Sequence, residues 1–132
     1  MSGTKEDIIK YRIEKSLKTF NDAKSLAGLG SWNSCVKLLY YSSFYLLTAL
    51  LLKNGIKAET HKGVKTQFFN HFIKTGILEY DFSSFYSNLF SWRQEEDYED
   101  FIDFKEKTVL RLITDVEEFN KKILELLIEP NT

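Results

Sequence analysis

A single proline, Pro130, stands near the C-terminal end of a 132-residue chain. Nothing upstream of it removes a backbone donor or drives a ring into a preceding turn, so helices are free to run long. The glycines after Gly3 fall at sites that end or separate helices, and no stretch alternates convincingly with period two. Helix one is predicted to start at Thr4, whose hydroxyl caps the amides ahead of Asp7. It carries Ile9, Ile13, Leu17, Phe20 and Ala27 on one stripe and stops at Gly28 and Gly30. Helix two is predicted from about Ser31 to Lys53, apolar around most of its circumference from Leu38 onward, with Asn54-Gly55 as its stop. A short helix three follows from Thr60 to Lys74, with Val64, Phe68, Phe72 and Ile73 together and Gly76 beyond its end. Helix four begins near Ser83 or Ser84, with Phe82, Phe85, Tyr86, Leu89 and Trp92 on one side. Helix five runs from about Phe104 to Ile128 on Val109, Ile113, Val116, Phe119 or Asn120, Ile123 and Leu127. The expected fold is all-α: one domain over residues 1–132, an up-and-down antiparallel bundle of four long helices and one short one. Short connections make neighbours run in opposite directions.

Composition narrows the function classes. The length suits one core. At 43% hydrophobic and 28% charged residues the chain reads as a soluble folded domain, not as a disordered segment or a membrane protein. A net charge of -1 removes the whole-molecule positive field on which non-specific nucleic-acid binders rely, so any such contact has to be local. The longest uncharged stretch, Leu38 to Leu52, spans about 22 Å as a helix against roughly 30 Å of bilayer hydrocarbon, and reads as a buried core helix. Charged residues in the first ten positions and no small-residue cleavage site lead us to expect no secretory signal. With one cysteine, Cys35, in an apolar helix without a neighbouring base, and no cluster of metal-ligand spacing, the expectation is a cytoplasmic protein without metal, disulfide, reactive thiol or cofactor.

Three segments in order carry more specific information: Asn33 with Leu39-Tyr40-Tyr41-Ser42-Ser43-Phe44, then Thr60-His61-Lys62-Gly63-Val64, then Arg93-Gln94-Glu95-Glu96-Asp97-Tyr98. Together they resemble the HEPN domain, nearest to the small stand-alone prokaryotic HEPN proteins with an Arg-x-x-x-Asp-Tyr motif, over roughly Tyr11 to Leu127. The resemblance implies an α-helical bundle, commonly a homodimer, associated with nucleotides or RNA and often encoded beside a minimal nucleotidyltransferase in a toxin-antitoxin setting. It also implies, in the active ribonucleases of the family, an Arg followed after a short spacer by a His, with two such motifs meeting across a dimer cleft. In this chain no His follows Arg93; Asp97 and Tyr98 stand there instead, and His61 and His71 lie upstream. Metal-independent RNA cleavage needs a group near neutral pKa to move a proton, and an ordinary carboxylate is a poor acid at pH 7. A binding module is therefore favoured over an endoribonuclease using Arg93 with Asp97 or an upstream histidine, or a purely structural helical adaptor.

The individual residues admit two readings each. Arg93 is either the phosphate-facing arginine of the resemblance, suited to a bidentate contact, or the partner of Asp97 one turn later. The acids that follow it, Glu95, Glu96, Asp97, Glu99, Asp100 and Asp103, repel a polyanion and read as a solvated face. Tyr98 resembles a tyrosine that a partner nucleotidyltransferase modifies with AMP in related toxins; otherwise it packs. Tyr40 and Tyr41 point about 100° apart on their helix, one toward the bundle and one toward a cleft or partner, or both into the core. His61, Lys62 and Lys65 sit at or near a helix N-terminus that favours an anion; the alternative is capping by Thr60 beside a packed, neutral His61. Aromatic residues at 15% exceed what a small core needs, which favours a homodimer.

Overall fold

The computed structural model describes residues 3–98 and 103–128, the side chains of 94–98 excepted. These residues form α1 (Lys5–Gly28), α2 (Trp32–Lys53), α3 (His61–Phe68) continued by a π-helical turn (Phe69–Ile73), α4 (Tyr80–Tyr98) and α5 (Glu106–Ile128). The bundle is all-α, as the uninterrupted sequence requires.

Local chemistry places most of the ends. Thr4 accepts from the Asp7 amide at 3.2 Å while the Asp7 carboxylate takes the Thr4 amide at 3.1 Å, a reciprocal cap on α1. Gly55 and Gly76, with φ of 69° and 82°, hold the left-handed stops after α2 and the π turn, a conformation that a Cβ disfavours. Gly63 departs from the expected pattern: it lies within the first turn of α3 and separates nothing. There its amide donates to the Thr60 hydroxyl at 2.8 Å, and an added Cβ would stand 3.0 Å from that same oxygen.

Helix α2 is the hub. Its buried residues, among them Val36, Leu39, Tyr40, Ser43, Leu47 and Leu50, spread over several sides, and the other helices pack around them. Among the described residues it is the one helix long and apolar enough to cross a membrane, and most of it is buried within the bundle. Hydrogen bonds set the directions of its neighbours. Ser16 on α1 donates to the Ser42 carbonyl at 2.6 Å and Arg12 to that of Thr48 at 3.1 Å, so α1 and α2 are antiparallel. The Phe104 amide donates to Asn33, Ser43 to Asn120 at 2.7 Å, and Lys53 to the Leu126 and Leu127 carbonyls at 3.1 and 3.0 Å, so α2 and α5 run the same way. Lys53 thereby satisfies carbonyls that the end of α5 leaves open.

Four details differ from the sequence expectation. Leu17 is 61% exposed, and Ser16 takes the buried place on α1 with Phe20, Ala23 and Ala27. Ser16 is tolerated inside because its hydroxyl is bonded to α2. Helix three is not one α-helix: after Phe68 the ladder widens, Lys74 donating to the Phe69 carbonyl, and the slower rotation per residue brings both Phe72 and Ile73 onto the buried side. Helix four starts at Tyr80 rather than Ser83 or Ser84, with Asp81 in its first turn, where a carboxylate suits the helix dipole. Helix five starts at Glu106, because the Phe104 amide is held by Asn33. Of the aromatic residues behind the dimer expectation, Phe20, Tyr40, Phe68, Phe72, Tyr86, Phe90 and Phe119 are buried, while others, among them Trp32, Tyr41, Phe44, Phe82, Phe85 and Trp92, are only partly covered.

Candidate functional site

Tyr40 occupies the centre of an aromatic cluster where α2, the start of α3 and α4 converge. It is fully buried, and its ring centroid lies 5.2 Å from Tyr41, 5.9 Å from Phe44, 5.9 Å from His61, 5.7 Å from Tyr86 and 6.3 Å from Phe90. Tyr41 and Phe44 are half-buried, so adjacency on one helix sends one tyrosine into the core and its neighbour to the rim.

His61 is brought to the cluster by the cap that starts α3. Its ring stacks on Phe44 at 4.2 Å, and its Nδ1 lies 2.8 Å from the Tyr40 hydroxyl. With Nδ1 accepting, the ring proton sits on Nε2; with Nδ1 donating, Nε2 is a free base. Partial burial, and secondarily the positive charge of Arg93, lower the His61 pKa from its ordinary value. The ring is therefore neutral at pH 7. Burial pushes the Tyr40 hydroxyl up to about 12 despite Arg93, and it raises that of Tyr86 well above its ordinary value, so both phenols keep their protons. Among the described residues the fully enclosed Tyr86 hydroxyl has no hydrogen-bond partner of good geometry.

Arg93 closes the arrangement from α4. Its guanidinium carbon lies 5.7 Å from the Tyr40 ring centre and 5.8 Å from that of Tyr41, and Nη2 donates to the Tyr41 hydroxyl at 3.4 Å. A guanidinium spread on tyrosine faces is held in place while keeping its charge. Lys65, one turn into α3, sets its ammonium 4.6 Å over the Phe90 ring, on the turn of α4 before Arg93. Lys62 is exposed in the first turn of α3.

The expected residues thus divide. Tyr40, Tyr41, His61, Lys65 and Arg93 come together. Asn33 does not join them: two turns before Tyr41, its side chain holds the Phe104 amide at 3.0 Å and fixes the entry to α5. Arg93 through Tyr98 continue α4, but the side chains of Asp97 and Tyr98 lie outside the described residues. Phe90 was not anticipated; its signal was its place one turn after Tyr86 and one before Arg93 on a single face. Among the described residues no group of three His, Cys, Asp or Glu is placed to hold a metal ion.

The proximity of His61 to Arg93 is open to direct measurement. In a proton NMR titration His61 should change charge below the ordinary imidazole range, and Arg93→Met should move its midpoint upward by removing the positive neighbour. An unmoved midpoint would separate the two residues. A folded-state pKa below the unfolded one has a stability consequence as well. The protein keeps its full stability above the unfolded value of about 6.5 and loses some as pH falls toward the lower folded value.

The HEPN domain family model matches residues 9–126. The chain is 34% identical over 123 residues to a Thermotoga maritima protein named "UPF0332 protein", covering 93% of each chain. It is 31% identical over 119 residues to a Methanocaldococcus jannaschii protein named "Putative toxin MJ0142", covering 90% of this chain and 81% of that one. An Archaeoglobus fulgidus "UPF0332 protein" is 28% identical over 116 residues, 88% of this chain and 92% of that one.

Proposed function

Because the chain belongs to the HEPN domain family, we propose that it is a cytoplasmic nucleotide- or RNA-associated binding module of a toxin-antitoxin-like system, with Arg93 as its phosphate anchor. One observation carries this reading: a guanidinium held across Tyr40 and Tyr41, with the rims of Tyr41, Phe44 and His61 beside it and Lys65 on the same side. A planar fork takes a phosphate bidentately, and partly exposed rings offer a base a face to stack on. Titration calorimetry at low salt with UMP, AMP and ATP tests it: heat of binding in the parent and none in Arg93→Ala is the expected pair of results. Homodimerisation and pairing with a minimal nucleotidyltransferase belong to the same proposal. Sedimentation velocity reads the first and copurification of the two chains the second, with a monomer or an unretained partner counting against each.

A second reading, a metal-independent endoribonuclease toxin, is favoured by the position of His61. Far upstream in sequence, it nevertheless lies in the Arg93 cluster as a neutral imidazole, the kind of group such cleavage needs and the segment after Arg93 lacks. The relative named as a toxin is consistent with it. Here His61→Gln should abolish RNA cleavage at saturating RNA, a loss that weaker stacking on the missing ring does not produce; cleavage at parental rate in that variant would remove His61 from the chemistry.

A further inference from the structure

The aromatic and basic surface does not end at Tyr41. Along α2, one turn on, Tyr45 follows with its ring 6.1 Å from that of Tyr41 and tilted 33° to it. The Lys15 ammonium from α1 lies 4.7 Å over the Tyr45 ring and 5.9 Å from that of Tyr11, which is 60% exposed. Ring and cation contacts therefore run from Arg93 through Tyr41, Tyr45 and Lys15 to Tyr11, across the α2–α1 junction.

Charges are mixed along α1: Lys5, Glu6, Lys10 and Glu14 line a groove with Lys53 and Leu127, whereas Lys15 faces α2. Arg12, donating to Thr48, is a further cation toward this side, with Glu59 in the same depression. An ammonium parked on a ring keeps donors for a phosphate oxygen, and a tyrosine that is mostly exposed pays little to be covered by a base. Alternating rings and cations on an otherwise acidic molecule match the chemistry of an extended single strand, whose bases stack and whose phosphates recur, better than that of a mononucleotide.

We infer that Tyr11, Lys15 and Tyr45 form a subsite for the further nucleotides of a single strand whose phosphate is held at Arg93. The inference rests on the phosphate-binding reading above and adds a substrate class to it. RNA and DNA share the groups this surface would contact, so both are used as probes.

The experiment is fluorescence anisotropy with labelled uridine and thymidine hexanucleotides at low salt, alongside calorimetry with UMP. The parent should bind at least one hexanucleotide more tightly than UMP, and preference for either sugar identifies the source of the strand. Tyr11→Ala should weaken hexanucleotide binding by about 5- to 150-fold, the range for losing one stacked base, and leave UMP unchanged. Lys15→Gln should lower the slope of log affinity against log salt by about 0.7, the signature of one lost phosphate contact on a single strand. Both residues are on the surface, so neither change threatens the fold. If both variants bind the hexanucleotides as the parent does while Arg93→Ala still loses UMP, the strand does not cross α1 and this inference falls alone. If the parent binds neither UMP nor a hexanucleotide, the phosphate-binding reading falls with it.

Discussion

Leu47→Ala should lower the unfolding free energy by about 2–5 kcal/mol, read as a shift of the denaturant midpoint at unchanged slope. Leu47 is fully buried on α2, and Leu50 one turn below is 1% exposed, so neither truncated side chain can be replaced by water or by a neighbour that swings in from the surface. The loss combines the transfer of the removed carbons with the cavity left between helices. A domain of this size is typically stable by about 5–15 kcal/mol, so the variant remains folded at low temperature and the difference is measurable. Leu17→Ala is the matched control. The same chemical change at a site 61% exposed should cost less than about 0.5 kcal/mol apart from the better helix propensity of alanine. Equal losses at Leu17 and Leu47 would mean that α1 is rotated relative to the arrangement described above.

The second large effect is expected at Arg93. Losing its guanidinium should remove nucleotide binding at low salt altogether, while Lys65→Ala should weaken it only in part. The difference comes from geometry: the guanidinium alone offers two parallel donors to one phosphate, and its place on Tyr40 and Tyr41 is already determined before a ligand arrives. An ammonium at Lys65 acts as a point charge on a flexible stem. Binding in the parent should also fall steeply with salt, since a few local contacts on a molecule of net charge -1 are screened within about 8–10 Å at physiological ionic strength. Arg93→Lys separates charge from shape. A variant that recovers the parental affinity would show that only the positive charge matters, and parental binding by Arg93→Ala would remove the site. Because Arg93 also packs on the two tyrosines, the thermal midpoint of each variant should be measured beside its affinity, and a folded Arg93→Ala that no longer binds is the informative result.

Helix existence and most helix ends were legible from the residues, because they are decided within a turn or two of the backbone. Thr4 and Thr60 cap the amides three positions on, Gly55 and Gly76 take the left-handed stops, and α2 is central because it has no polar side to expose. The three quoted motifs likewise sufficed for the family. What local chemistry does not contain is the rotation of one helix against the next. Both Ser16 and Leu17 fit the helical spacing, and hydrophobicity alone favours Leu17 as a core residue. The opposite outcome follows from the Ser42 carbonyl on α2, which supplies the partner that makes Ser16 acceptable inside and turns Leu17 outward. The widening after Phe68 is likewise absent from the spacing: Phe72 and Ile73 are buried there within a π-helical turn, not a continued α-helix. The site is the clearest case. His61 and Arg93 lie on different helices far apart in sequence, and each alone reads as a cap neighbour or an ion-pair member. They become neighbours through Tyr40, whose hydroxyl meets the imidazole and whose face meets the guanidinium, because the packing of α3 and α4 against α2 brings both to one buried ring.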